Sequence, residues 1–145
     1  FLLGEVPPLE GTPPGKCAEI ADKFAARSRN LATDGFIVYD IQEEPGRSST
    51  ARPFPFRKLM DSSPYASLLA KTSGKPTLVY KCVADEHFED WLQTASQDHG
   101  HTALNLVGRA TSDGDYQGPT LSQAMTMVQE HPALRFGGVS IAERH

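Results

Sequence analysis

Apolar residues follow two alternating patterns along the chain, short continuous runs and longer segments with helical spacing. The continuous runs predict buried strands at 1–6, 36–41, 77–83 and 103–107, and a fifth in the segment 136–145, whose apolar run is Val139-Ser140-Ile141. Helical spacing is clearest in the segment after the first run, at Cys17, Ile20, Ala21, Phe24 and Ala25. Strands and helices are therefore expected to alternate.

Capping signals place the other helices. The region from Arg57 to Thr72 is mostly helical in pattern, with an interruption expected near Pro64. Asp85 is the expected N-cap of the next helix, and Thr120 with Gln123 three residues later predicts a capping box at the start of the last one.

The order β-α-β-α-β-α-β-α-β predicts an α/β domain over residues 1–145. The strand runs do not alternate polar and apolar residues, which indicates a parallel sheet buried on both faces. One architecture is a (β/α)8 barrel of the TIM type, of which this chain would supply about the first five strands and four helices. The alternative is a five-stranded doubly wound parallel sheet. A chain that ends on a strand favours the barrel, with the remaining strands in sequence outside this segment.

Composition narrows the class of protein. The chain has 145 residues, 39% hydrophobic and 22% charged, with a net charge of −4, which is ordinary for a globular domain. No basic run predicts contact with nucleic acid, and no apolar stretch approaches the length of a membrane-spanning helix. Cys17 and Cys82 each lie in an apolar pattern, so reduced thiols and a cytoplasmic location are expected.

Ionisable and polar residues gather where the predicted strands end, and ligands of α/β proteins bind beyond the carboxyl ends of parallel strands. The residues at the predicted strand ends are Glu5, Asp40, Gln42, Glu43, Glu44, Lys81, Cys82, Gly108, Arg109, Glu143, Arg144 and His145. Glu5 and Lys81 lie in or against apolar runs, where an unpaired charge is costly. We expect these two side chains to face a shared cavity, to pair, and to serve acid–base catalysis.

Three stretches resemble the methylenetetrahydrofolate reductase family: GEVPP, LVGRATSDGDYQGP and FGGVSIAERH. The stretch VYDIQEEPGR followed by RPFPF resembles a divergent, reductase-like branch of it. Members of that family are flavin-dependent β/α barrels. The resemblance implies an oxidoreductase of one-carbon metabolism that passes a hydride from NAD(P)H through FAD to a folate-bound one-carbon unit.

The resemblance also implies roles for single residues. Glu5 matches the general acid that ends the first strand, and Glu143 and His145 match flavin contacts on the fifth. Gly108 and Arg109 match the strand-four loop, where the family has Asp in place of Arg109. From their strand-end positions alone, Asp40 and Gln42 are further candidate cofactor contacts at the end of strand two, and Lys81 is a candidate auxiliary base or anion ligand.

A second function stays open beside the enzyme. Arg109, and Ile141 and Ala142 where the family has an aromatic residue and a proline, favour a non-catalytic barrel-derived module. Such a module would bind a small anionic metabolite or act as an assembly subunit, with the rest of the barrel or a second copy as partner. Asp98-His99-Gly100-His101 is expected to be a solvated turn, and no metal site is expected.

Overall fold

The computed structural model describes residues 1–42, 54–108 and 117–139, in which strands and helices alternate as the pattern predicts. The strands are β1 (Leu2–Glu5), β2 (Gly35–Val38), β3 (Thr77–Cys82), β4 (Ala103–Val107) and β5 (Arg135–Gly138). The helices are α1 (Pro14–Ser28), α2 (Ser62–Ser73), α3 (Phe88–Gln97) and α4 (Leu121–Gln129). The α/β class is confirmed.

The five strands form one parallel sheet in the order β1-β2-β3-β4-β5. A doubly wound sheet reverses its strand order at an interior point, where its ligands bind. This sheet has no such reversal among its described strands, so the doubly wound alternative was wrong. The consecutive order brings the carboxyl ends of β2, β3 and β4 side by side.

All four helices pack on the same face of the sheet. Register partners in a parallel sheet point to the same side, and Phe36, Val38, Val79, Leu104 and Leu106 form one such buried set. Each helix adds buried residues to this one hydrophobic core, namely Ala21 and Phe24, Tyr65 and Leu69, Phe88 and Leu92, and Ala124 and Val128. Apolar burial on this side holds the layers together.

The opposite face of the sheet is only half-buried. Its side chains alternate with the core set along the strands and include Ile37, Leu78 and Tyr80, while Leu2 is 45% exposed. The Tyr39 and Tyr80 rings meet edge to face there, with centroids 5.3 Å apart. The expected burial on both faces therefore holds for one face of the described chain. We call the other the bare face, defined by Leu2, Ile37, Tyr39, Leu78 and Tyr80.

Two helix predictions were wrong in detail. Pro64 does not interrupt α2, because it lies in the first turn, where a backbone N–H is not needed. Asp61 caps this helix by accepting a hydrogen bond from the Ser63 amide at 2.7 Å. Asp85 is not the N-cap of α3, a position that His87 occupies, although the Asp85 carboxylate accepts a hydrogen bond from the His87 amide at 3.0 Å.

Other local predictions have mixed outcomes. The capping box of Thr120 and Gln123 is confirmed, as are the bounds of β4. The fifth strand ends at Gly138, before the run from Val139 that was predicted to form it. Cys17 is a buried free thiol, as expected. Among the helices of the described residues, none is long and apolar enough to cross a membrane.

Candidate functional site

A cleft of about 670 Å³ opens at the carboxyl ends of β2, β3 and β4. Polar residues near the strand ends and at the start of α2 line it, among them Asp40, Gln42, Asp61, Lys81 and Asp85, and Gly108 lines it as well. The structure thus brings together five of the residues that the strand-end rule selected, Asp40, Gln42, Lys81, Cys82 and Gly108.

Lys81 is the electrostatic centre of the cleft. Its side chain is only 4% exposed, and its Nζ lies 2.7 Å from Asp85 Oδ2, 3.7 Å from Asp61 Oδ2 and 3.9 Å from Asp40 Oδ2. The ammonium also lies 4.8 Å from the centroid of the Trp91 ring. Burial alone would lower the pKa of Lys81, but the carboxylates around it, Asp40 above all, hold that pKa above its ordinary value. These carboxylates stabilise Lys81 as an ammonium inside the cleft.

Asp40 and Asp85 are both engaged at each of their oxygens. Asp40 accepts hydrogen bonds from the Cys82 amide at Oδ2 and from the Gln42 side chain at Oδ1, and burial raises the pKa of its carboxyl. Asp85 accepts from the His87 amide and from Lys81. Partial burial acts to raise the pKa of Asp85, yet the hydrogen bond from Lys81 leaves that pKa below its ordinary value.

Asp61 is the functional candidate that the sequence reading missed. Its Oδ1 accepts hydrogen bonds from the Ser63 amide at 2.7 Å and from the Trp91 indole Nε1 at 3.1 Å. Its side chain is 39% exposed, and its Oδ2 faces Lys81. The sequence did carry a signal, because an Asp directly before Ser-Ser-Pro is typical of a helix N-cap.

Glu5 lies away from the cleft. It is in register with the buried Val38, and its Oε1 accepts a 3.4 Å hydrogen bond from the Tyr65 hydroxyl on α2. Burial raises the pKa of Glu5, against the opposing effects of that hydrogen bond and of the Arg27 charge. Strand β2 separates β1 from β3, so the expected pairing of Glu5 with Lys81 was wrong. A catalytic role for either residue stays a prediction.

The histidine-rich turn is not solvated at His101, which was expected to face water. Its Nε2 lies 3.0 Å from the Ser63 carbonyl and 2.9 Å from the Ser63 hydroxyl, and burial lowers its pKa. Both contacts are made by Ser63, so His101 is held against the first turn of α2. Within residues 1–42, 54–108 and 117–139, no group of three or more Asp, Glu, His or Cys side chains could hold a metal ion.

Three of the predicted cofactor contacts, Arg109, Glu143 and His145, lie outside the described residues. Their roles toward FAD or NAD(P)H stay predictions.

Comparison with known proteins finds similar solved structures. No protein-family model matches this chain, and no curated protein matches it. Nine chains of solved structures are similar to it. One is an uncharacterised protein from Clostridium thermocellum that binds two copies of 5-methyl-5,6,7,8-tetrahydrofolic acid. It is 28% identical to this chain, with a TM-score of 0.72. The match covers 99% of this chain and 45% of that protein, so this chain spans less than half of its length.

Proposed function

We propose that this chain binds a reduced folate, of the class of 5-methyltetrahydrofolate, in the cleft at the carboxyl ends of β2, β3 and β4. The observation that carries the proposal is the structural neighbour that binds 5-methyltetrahydrofolate and resembles this chain over 99% of its residues. The position of the cleft supports it, because ligands of parallel α/β sheets bind beyond the carboxyl ends of the strands.

The size and chemistry of the cleft suit such a ligand. Its volume of about 670 Å³ falls within the range of roughly 300–1,000 Å³ that small-molecule sites occupy. A reduced folate has a ring system rich in N–H donors at one end and glutamate carboxylates at the other. The cleft offers carboxylates near Lys81, and at its outer wall the exposed Lys58, whose Nζ lies 2.8 Å from Glu10 Oε1.

Thermal unfolding tests this proposal. A ligand that binds only the folded chain stabilises it by about 2.7 kcal/mol at a free concentration of about 100 times its Kd. We expect 5-methyltetrahydrofolate to raise the melting temperature by several degrees, with a shift that grows with ligand concentration. Glutamate alone is the control and should leave the melting temperature unchanged. No shift at millimolar 5-methyltetrahydrofolate would contradict the proposal.

Binding without catalysis is the function that the cleft supports best. Glu5, the residue proposed as general acid, does not line the cleft, and its carboxyl is hydrogen-bonded to Tyr65. The more specific proposal, a reductase that uses FAD and NAD(P)H, is favoured by the raised pKa of Glu5, which suits a proton donor. An absorbance spectrum tests it, because bound flavin has bands in the near-ultraviolet and the blue. A protein that stays colourless after FAD is added would contradict the reductase.

We also propose that the sheet belongs to a (β/α)8 barrel whose interior is the bare face. Consecutive parallel strands with every described helix on one side are what a barrel segment requires. In a closed barrel the inward side chains fill the centre, which suits the half-buried Ile37, Leu78 and Tyr80.

A further inference from the structure

We propose that Asp61 anchors the ring end of the ligand, its Oδ2 accepting N–H hydrogen bonds from the aminopyrimidinone of a reduced pterin. This inference rests on the proposed function and adds to it the orientation of the ligand and the residue that recognises it. The ring end then points toward Lys81 and the start of α2, and the glutamate end points outward along the cleft.

The pattern of hydrogen bonds singles out Asp61. Three aspartates surround Lys81, and two of them, Asp40 and Asp85, accept a hydrogen bond at both oxygens. Asp61 accepts two hydrogen bonds at Oδ1, whereas its Oδ2 accepts none from the described residues and lies 3.7 Å from Lys81 Nζ. One oxygen of this carboxylate is thus held in place while the other remains available in the cleft.

The position of the carboxylate is fixed before any ligand arrives. Asp61 is the N-cap of α2, and the Trp91 indole from α3 binds the same oxygen as the Ser63 amide. Two elements therefore determine where Oδ2 lies. A preorganised acceptor costs little conformational entropy when a ligand binds, which is how such groups gain affinity and specificity.

The chemistry of the ligand indicates that its ring end, rather than its glutamate end, binds Asp61. The reduced pterin carries neighbouring N–H donors on its amino group and ring nitrogen, and a carboxylate is an acceptor that binds such donors strongly. The glutamate end carries two carboxylates near neutral pH, and the Asp40, Asp61 and Asp85 carboxylates, which outnumber the single Lys81 ammonium between them, would repel it. The charges in the cleft therefore favour an orientation in which the pterin ring lies inside the cleft and the glutamate tail points outward.

Isothermal titration with three probes tests the inference: 5-methyltetrahydrofolate, 6-methyltetrahydropterin as the ring end, and p-aminobenzoylglutamate as the tail. The variant is Asp61→Asn, which keeps an oxygen for the Ser63 and Trp91 donors but places an NH2 donor where Oδ2 was. Asn is also a good N-cap, so the helix is preserved. Asp61→Ser, which keeps a capping oxygen and lacks Oδ2, is the second variant. Asp90→Asn, on the exposed surface of α3, is the matched charge control.

The unmodified chain is expected to bind the whole ligand and the ring probe, and to bind the tail probe far more weakly. Hydrogen bonds to charged groups are worth about 1.5–3 kcal/mol, so Asp61→Asn should raise the Kd of the first two probes by about 10- to 100-fold. Asp90→Asn should leave both unchanged. If the unmodified chain and both Asp61 variants bind 5-methyltetrahydrofolate equally well, Asp61 does not anchor the ligand, and the proposal of folate binding is unaffected. If the unmodified chain binds neither folate nor pterin, the proposed function fails as well.

Discussion

Glu5 is half-buried and hydrogen-bonded to Tyr65, and its pKa is raised chiefly by burial. A carboxyl whose pKa is higher in the folded chain than in the unfolded chain destabilises the fold when it is ionised. That cost is present above the folded pKa and disappears as the pH falls below the unfolded value. The stability of the fold therefore depends on pH through this residue.

Glu5→Gln removes the ionisation but keeps an oxygen for the Tyr65 hydroxyl. We expect the variant to be more stable than the unmodified chain near about pH 7. This gain should disappear near about pH 3.5, where Glu5 is neutral in both the folded and the unfolded chain. Urea unfolding at the two pH values measures it. Glu89→Gln, on the exposed side of α3, is the control and should show little change with pH. A difference for Glu5→Gln that does not vary with pH would contradict this account.

Some site residues could be read from the sequence and others could not. Asp40, Gln42, Lys81 and Gly108 were found because strand ends can be predicted from apolar runs, and strand ends are where such sites lie. Asp61 acquires its role from the Trp91 indole, which is 30 residues away in the sequence and reaches it only in the folded chain. Contacts of this kind have no local pattern.

At the scale of elements, Lys81 connects four parts of the chain. The carboxylates around it come from the end of β2, the N-cap of α2 and the turn before α3, while Lys81 itself lies on β3. Removing one partner of a buried ion pair leaves uncompensated charge, which costs far more than the pair itself contributes.

Lys81→Met should therefore lower the free energy of unfolding by about 3–5 kcal/mol. Lys71→Met, the same change at an exposed position of α2, should alter it by less than about 0.5 kcal/mol. Urea unfolding of the two variants compares them directly. Equal stability of the two would show that Lys81 does not hold these elements together.

The bounds of helices and strands were predictable where residues close together in the sequence determine them. The capping box of Thr120 and Gln123 and the apolar run of β4 are complete within a few residues, and both were placed correctly. The start of α3 was placed too early, because Asp85 lies in the turn before the N-cap residue His87. Its carboxylate accepts from the His87 amide and also from Lys81, a tertiary contact that has no local pattern in the sequence.

At the scale of the whole molecule, the bare face is the sheet surface that no helix of the described chain covers. Parallel sheets are almost always covered on both faces, and this one has helices on one. Exposed apolar surface of this kind drives association. We expect the 145-residue chain, on its own, to self-associate through the bare face.

Ile37→Lys places a charge on the bare face and should shift the chain toward the monomer in sedimentation velocity runs over a concentration series. Met125→Lys is the matched control, because Met125 is a 41% exposed apolar residue on α4 rather than on the sheet. It should leave association unchanged. A chain that is monomeric at every concentration, or that responds equally to both changes, would contradict the prediction.

Strand order could not be derived from the sequence alone. The runs at β1 to β5 predict five strands but not which of them are neighbours, because pairing joins residues far apart in the chain. A doubly wound sheet and a barrel segment were therefore both compatible with the pattern, and only the strand at the end of the sequence favoured the barrel. The observed consecutive order removed the first of these and placed the carboxyl ends of β2, β3 and β4 around one cleft.

Amide chemical-shift mapping by NMR, with 5-methyltetrahydrofolate titrated into the labelled chain, tests the central claim most directly. It detects weak binding and locates it. We expect saturable shifts at the amides of Gln42, Asp61, Asp85 and Gly108, which line the cleft, and none at Gly74 and Gly100, which precede β3 and β4 at the opposite end of the sheet. Shifts confined to another part of the chain, or no shifts at millimolar ligand, would contradict the account.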